Sequence, residues 1–210
     1  MRIAILIFEE LTALDAIGPY EVLSRLPGAE VTFTGPAAGP IRTDTGSLGL
    51  HADLAIEDLP DPDVLLVPGG KGNRPLLTDE RVLDWVRSAH QTSEWTTSVC
   101  TGSLVLGAAG ALEGKRATSH WAYRDLLARF GATPVAERVV EDGKIMTAAG
   151  VAAGIDMALT LAARIAGDDV AKAIQLGIEY DPDPPFDTGS PEKAGPELVR
   201  LIRSAEGADG

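Results

Sequence analysis

The segment Trp95-Thr96-Thr97-Ser98-Val99-Cys100-Thr101-Gly102-Ser103-Leu104-Val105-Leu106 decides the fold of this chain. The residues before Cys100 are typical of a buried strand, whereas the residues after it favour a helix. Small residues stand two positions before and two positions after Cys100, a spacing typical of a nucleophile elbow. At such an elbow the strand and the helix pass each other closely, so the flanking side chains have to be small.

Cys100 is the only cysteine among the 210 residues. At an elbow its thiol would point towards solvent from a helix N-terminus, where unpaired N–H groups and the helix dipole favour the thiolate. We therefore expect the pKa of the thiol to lie below its ordinary value of about 8.5. The alternative is that Cys100 is a small buried hydrophobic residue, as most lone cysteines are.

The overall charge restricts the partners of this chain. With 31 acidic and 18 basic residues, the net charge of -13 repels nucleic acid and anionic membranes, which favours a neutral or cationic small molecule as partner. The N-terminal apolar run becomes acidic at once, so it is typical of a strand rather than a signal peptide, and we expect no membrane span. A single free thiol suits a reducing compartment, which predicts a cytoplasmic location.

Continuous apolar runs at Ile3–Phe8, Val64–Val67 and Trp95–Val99 predict parallel strands that are buried on both faces. Helical patterns between and after them cover residues 12–25, 79–91, 102–110, 121–130, 150–166 and 168–178. This alternation predicts the α/β class, with a doubly wound, mostly parallel sheet in a flavodoxin-like sandwich. We expect one domain over residues 1–210.

Three other segments complete the predicted organisation. Apolar residues and glycines within 41–50 suggest a small antiparallel excursion, and residues 135–140 and 144–147 form a hairpin candidate around an Asp-Gly turn. The proline-rich residues from 181 to about 190 cannot form a helix and predict an ordered arm. A short final helix is expected near Glu197–Ser204.

Candidate site residues follow the predicted strands, because ligands of doubly wound sheets bind beyond the carboxyl ends of the strands. Asp15 follows the first strand and sits in an apolar segment, Leu14-Asp15-Ala16-Ile17. Burial there would raise the pKa of the carboxyl, and a nearby thiolate would raise it further, which suits a general acid that later acts as a base. The alternative is a first-turn carboxylate that interacts only with the helix dipole.

The turn Pro68-Gly69-Gly70-Lys71-Gly72 follows the next strand, and its glycines would let backbone N–H groups approach a developing negative charge. The alternative is a simple tight turn. His120 would lie near the mouth of the same cleft, although a histidine in this setting is more often structural. The three histidines are scattered and there is no second cysteine, so we expect no metal site.

The segment Val99–Gly110, followed by Lys115–Trp121, closely resembles the ThiJ/PfpI superfamily, and within it the isonitrile hydratase branch. Further similar segments are Leu14-Asp15, Gly18–Leu23, Pro68-Gly69-Gly70, Ala153–Asp156, Gln175-Leu176, Glu179-Tyr180 and Pro184-Pro185-Phe186. The resemblance covers nearly the whole chain and implies a fold like that of class I glutamine amidotransferases.

The resemblance also implies roles for individual residues. It makes Cys100 the nucleophile and Asp15 the acid/base carboxyl beside it, with backbone N–H groups of Gly70 and Thr101 around the reacting atoms. It further implies a homodimer without a cofactor. Proteolytic members of the superfamily have a histidine directly after the cysteine and a glutamate near the first strand. Thr101 and Asp15 stand in those places here, which argues against peptidase or glycation-repair activity.

The activity implied by the resemblance is the addition of water to an isonitrile, which gives an N-substituted formamide. Cys100 would attack the terminal carbon while Asp15 supplies a proton, and the first product would be a covalent thioimidate. One alternative is a cysteine-based redox or electrophile sensor, although no second cysteine is present to resolve an oxidised thiol. Another is the ligand-binding domain of a regulator, which the acidic charge and the lack of a helix-turn-helix pattern after residue 190 oppose.

Overall fold

A seven-stranded sheet lies at the centre of the fold in the computed structural model, which describes residues 1–206. In chain order the strands are β1 (Arg2–Leu6), β2 (Glu30–Gly35), β3 (Gly39–Arg42), β4 (Gly49–Ala52), β5 (Leu54–Ala55), β6 (Val64–Val67), β7 (Trp95–Val99), β8 (Arg116–Ala117), β9 (Thr133–Pro134), β10 (Val139–Asp142) and β11 (Ile145–Ala148). The sheet order is β10-β11-β7-β6-β1-β2-β5, and only β10 and β11 pair antiparallel. Outside this sheet β3 pairs with β4 and β8 with β9.

Helices cover both faces of the sheet. In the described part of the chain they are α1 (Ala13–Leu23), α2 (Asn73–Leu76), α3 (Glu80–Thr92), α4 (Gly102–Ala108), α5 (Ala153–Ala166), α6 (Asp168–Gly177), α7 (Pro191–Ala194) and α8 (Pro196–Glu206). Helices α1 and α5 contact each other, as do α3 and α4, and β7 contacts both α4 and α5. The predicted α/β class with a doubly wound, mostly parallel sheet is therefore confirmed.

The central strands are apolar throughout because both of their faces are buried. All four residues of β6 are buried, and so are four of the five residues of β1. The two strands pair in parallel, with Ile3 opposite Val64 and Ile5 opposite Leu66. Side chains on both faces of the sheet are thus removed from water, and this burial stabilises the central strands. The candidate site lies at the ends of these strands.

One predicted helix is wrong. Residues 121–130 do not form an α-helix; a 3₁₀ segment covers Arg124–Phe130 instead. Gly131, at φ 75°, ends it in the left-handed conformation. The Phe130 ring packs so closely on α4 that a methyl group at Gly107 would lie 2.8 Å from it. The left-handed turn at Gly131 and this ring contact confine the segment to a tight 3₁₀ turn, in which Leu127 is fully buried and Leu126 and Phe130 are partly buried.

The predicted hairpin forms, but its first strand begins at Val139 rather than at residue 135. Val135 directly follows β9 instead, and its N–H donates to the carbonyl of Ala117, the last residue of β8, at 2.8 Å. Residues 181–190 contain no helix or strand and are mostly exposed, as expected of an arm. The final helix spans Pro196–Glu206, which is longer than predicted. No helix in the described part of the chain is long and apolar enough to cross a bilayer.

The elbow requires a glycine at position 102, where helix α4 begins against β6. A Cβ atom there would lie 2.0 Å from the carbonyl oxygen of Val67 and 2.7 Å from that of Pro68. Because both neighbours are backbone atoms, neither can move aside without displacing the strand end. This close approach holds the start of α4 against the end of β6.

We predict that Gly102→Ala lowers the free energy of unfolding by about 3 kcal/mol, because the added methyl group overpacks a rigid backbone contact. Gly177→Ala is the matched control, since a Cβ atom at this helical residue meets nothing within 4 Å. The control is expected to stabilise the protein slightly, by up to about 1 kcal/mol. Urea unfolding of both variants measures the difference. Equal stabilities would contradict the contact.

Candidate active site

Cys100 lies directly after β7 with φ 57°, one of three non-glycine residues with positive φ in the described part of the chain. Hydrogen bonds hold the peptide groups on both sides of it. Its N–H donates to the carbonyl of Ala149 at 2.8 Å, and its carbonyl accepts from the hydroxyls of Ser103 at 3.1 Å and Ser119 at 3.0 Å. This strained conformation costs of the order of 1–3 kcal/mol and persists because these partners fix it.

Two glycines bring the neighbouring strand ends against the elbow. A Cβ atom on Gly69 would lie 2.6 Å from the amide nitrogen of Thr101 and 2.9 Å from the Cβ of Cys100. Gly70 has φ 133°, and a Cβ atom there would lie 2.5 Å from the nitrogen of Thr12. The turn after β6 is therefore in backbone contact with both the elbow and the segment before α1, and the three strand ends converge.

Asp15 lies in this convergence and is fully buried. Its Oδ2 accepts a hydrogen bond from the Gly69 N–H at 2.9 Å, whereas Oδ1 has no hydrogen-bond partner in the described part of the chain. Burial raises the pKa of the carboxyl to about 7, although the Gly69 N–H and the Cys100 thiol act in the opposite direction. The charge of Asp44 raises it further. Asp15 therefore exchanges a proton readily near neutral pH.

The pKa of the Cys100 thiol is raised, and the expectation that it would fall is wrong. The side chain is buried, with only 6% of the residue exposed, so it does not point into open solvent. Burial is the largest cause and the charge of Asp15 adds to it, while the N–H groups of Thr101 and Val151 lower the pKa. The N–H donors of the elbow are thus present but are outweighed by burial. Burial therefore disfavours the free thiolate.

Thr101 connects the glycine turn to the thiol. Its hydroxyl oxygen accepts from the Gly70 N–H at 3.1 Å, and the same side chain favours the thiolate of Cys100. Asn73 Nδ2 donates to the Thr101 carbonyl at 2.9 Å. Gly70 therefore lines the cleft, and its N–H donates to the Thr101 side chain. The Thr101 N–H does face the sulfur.

The N–H of Val151 is a second donor towards the sulfur that the sequence analysis missed. Val151 follows β11 and precedes α5, so it occupies another strand end at the same edge of the sheet. The sequence did contain one signal for this part of the site, the neighbouring Gly150. A Cβ atom on Gly150 would lie 2.8 Å from the His120 ring, so the segment after β11 packs closely against a residue that lines the cleft.

A cleft of about 750 Å³ opens in front of Cys100. Its apolar wall is formed by Leu77, Leu104, Tyr123, Leu126 and Val151. Thr12, Asp44, Thr45 and Asn73 contribute polar groups. Asp15 is not part of the wall but lies buried behind Cys100. The thiol is therefore the reactive group that a ligand meets first, with a proton acceptor on its inner side.

His120 lines the same cleft. Its ring lies 5.5 Å from that of Trp121 and 6.0 Å from that of Tyr123, centroid to centroid. Its Nδ1 accepts from the N–H of Ala122 at 3.4 Å. Among the residues that the structure describes, no three His, Cys, Asp or Glu side chains are grouped closely enough to hold a metal ion.

We predict that stability falls as the pH rises from about 5 to about 8. The folded pKa of Asp15 is about 7 against an ordinary value of 3.8, so in this window the folded protein holds a proton that the unfolded chain has released. The loss should be roughly 2 to 3 kcal/mol, and Asp15→Asn should remove it, because the amide cannot ionise and its oxygen still accepts from Gly69. Urea unfolding at pH 5 and pH 8 measures this loss in the free energy of unfolding. An equal loss in Asp15→Asn would refute its assignment to Asp15.

Several known proteins are similar to this chain. The model of the DJ-1/PfpI family matches residues 1–164. An isonitrile hydratase of Pseudomonas putida is 50% identical over 203 residues, which cover 97% of this chain and 89% of the relative. A deglycase of Pyrococcus abyssi is 31% identical and covers 68% of this chain and 86% of its own. The crystal structure of a ThiJ/PfpI family protein from Pseudomonas syringae superposes with a TM-score of 0.94 at 37% identity, over 97% of this chain and 85% of the other. The chain therefore belongs to the DJ-1/PfpI family.

Proposed function

We propose that this protein is an isonitrile hydratase, which converts an isonitrile and water into an N-substituted formamide through a covalent thioimidate on Cys100. The observation that carries the proposal is the buried Asp15 carboxyl, with its pKa raised to about 7, against the Cys100 thiol. The identity of 50% to the hydratase of Pseudomonas putida supports the choice of substrate class.

The first step uses the pair as a proton shuttle. The terminal carbon of an isonitrile, R–N≡C, accepts both a nucleophile and a proton. Asp15 takes the thiol proton while Cys100 Sγ bonds to that carbon, and Asp15 then gives the proton to the same carbon. An S–H bond breaks, an S–C and a C–H bond form, and the product is the thioimidate R–N=CH–S on Cys100.

The second step returns the enzyme to its starting state. Asp15, again ionised, accepts a proton from water as the oxygen bonds to the thioimidate carbon, and this proton passes to nitrogen. The adduct R–NH–CH(OH)–S then collapses as the C=O bond forms and the C–S bond breaks. The hydroxyl proton returns to sulfur, and the formamide R–NH–CHO leaves. The Thr101 and Val151 N–H groups stabilise the departing sulfur.

The sensor alternative fits the site less well. Fast oxidation requires an accessible thiolate, whereas Cys100 is buried and its pKa is raised. A proton acceptor behind the thiol is what a nucleophile needs when it reacts with an uncharged substrate and must lose its proton during the attack. The geometry therefore favours catalysis over sensing.

We predict that Cys100→Ala abolishes formamide production from an aromatic isonitrile. Asp15→Asn should lower kcat by at least about 100-fold, since the thiol then has no proton acceptor. Asp84→Asn is the matched control, because this carboxylate is exposed on α3, and it should keep full activity. Chromatography of the formamide measures turnover, and rapid quenching with intact-protein mass spectrometry should show Cys100 heavier by one isonitrile. Full activity in either site variant would refute the mechanism.

We further infer that the protein is a homodimer, as the family resemblance implies, and that it acts in the cytoplasm. Large apolar side chains at Leu176, Phe186 and Leu201 are 81%, 77% and 65% exposed, which supports burial against a second copy. Light scattering should give a mass near twice the 21.9 kDa of one chain. A mass of one chain at micromolar concentration would exclude a stable dimer.

A further inference from the structure

We infer that the substrate carries a carboxylate on the organic group R, and that Arg203, Arg74 and Lys71 bind this carboxylate inside the cleft while the isonitrile carbon reaches Cys100. This inference rests on the proposed hydratase function and adds the chemical class of its substrate.

Three cationic side chains line the cleft. Lys71 and Arg74 follow the glycine turn after β6, and Arg203 reaches the cleft from α8. Among the residues that the structure describes, none of the three side chains has an ion-pair or hydrogen-bond partner. The chain has 31 acidic and 18 basic residues, yet these three cations line one cleft. A ligand anion is the partner that would explain them.

Arg203 is the best-positioned of the three. Its guanidinium carbon lies 5.6 Å from the centre of the Trp121 ring, and the side chain is half-buried. Contact with an aromatic ring restrains the guanidinium plane but uses none of its N–H donors. A carboxylate matches the planar fork of these donors and binds two of them at once. Arg203 is therefore held in place for a planar anion.

Two carboxylates also line the cleft, so the local balance has to be considered. The Asp44 carboxylate already accepts a hydrogen bond from the Thr12 hydroxyl at 2.7 Å, and Asp125 stands at the start of the 3₁₀ segment. In the described part of the chain, three cations and two carboxylates line the cleft, a balance of one positive charge, whereas the whole chain carries -13. The overall charge predicted a neutral or cationic partner, but the charge near the reacting thiol favours an anion.

The size of the cleft allows the two ends of such a substrate to bind separately. About 750 Å³ is much more than the N≡C group requires and falls within the usual range for ligands with a substantial organic part. The apolar wall formed by residues such as Leu104 and Tyr123 would contact the carbon skeleton. The carboxylate takes no part in the reaction; its binding orients the reacting carbon towards the sulfur.

The test compares 4-isocyanobenzoate with its uncharged methyl ester. We expect wild-type kcat/KM to be about tenfold higher for the carboxylate, roughly the effect of one charge-assisted hydrogen bond. Arg203→Met should reduce this ratio towards one, and Arg203→Lys should restore only part of it. Arg200→Met is the matched control, because Arg200 lies on the same helix but lines a separate groove with Leu198 and Leu201. It should keep the wild-type ratio.

A binding measurement separates this inference from the hydratase proposal. Calorimetry with the Cys100→Ala variant compares 4-formamidobenzoate with its methyl ester, and the acid should bind about tenfold more tightly unless Arg203 is also replaced. If neither isonitrile is hydrated but the acid still binds through Arg203, the hydratase function fails and the anion site stands. Suppose instead that the wild-type enzyme hydrates the ester and the acid with equal kcat/KM, and that Arg203→Met changes neither the kcat/KM ratio nor the affinity ratio of acid to ester. The carboxylate inference is then overturned while the hydratase function stands.

Discussion

The hydrogen bond from the Gly69 N–H to Asp15 Oδ2 is the interaction on which the candidate site depends. It joins the first helix to the turn after β6. It also gives one of the two oxygens of a fully buried carboxyl a hydrogen-bond donor. That turn can reach Asp15 only because Gly69 also lies against Thr101 and Cys100, where no side chain would fit. The same backbone contact therefore positions the carboxyl and fixes the elbow, so the acid and the nucleophile cannot move independently.

Burial of this pair determines its chemistry. An exposed thiol at a helix N-terminus would be ionised and open to any electrophile or oxidant. Burial instead raises the pKa values of both Cys100 and Asp15, which disfavours a free thiolate in the absence of substrate. Because the isonitrile carbon requires a proton as well as a nucleophile, a carboxyl whose pKa is about 7 can accept the thiol proton and then give it to that carbon, whereas a permanently charged carboxylate would return the proton less readily.

The sequence was sufficient for features that depend on local pattern. Continuous apolar runs identified β6 and β7, and the small residues around Cys100 identified the elbow, because both patterns reflect contacts along one stretch of chain. Features that depend on distant segments were missed. The pKa of Cys100 depends on how many atoms of other elements surround the sulfur, and the Val151 donor follows β11, a strand that is adjacent to β7 only in space. The 3₁₀ segment at Arg124–Phe130 is likewise set by its contact with α4.

Net charge is likewise a property of the whole sequence that does not describe the charges gathered at one place in the fold. The total of -13 describes how the molecule repels other anions at a distance, and water and salt weaken that repulsion within about 10 Å. Inside the cleft, a ligand is close to Arg203, Arg74 and Lys71, and in the described part of the chain Asp44 and Asp125 are the carboxylates that line it. Cations that line the same cleft as the reacting thiol therefore have more influence on substrate choice than the excess of acidic residues elsewhere.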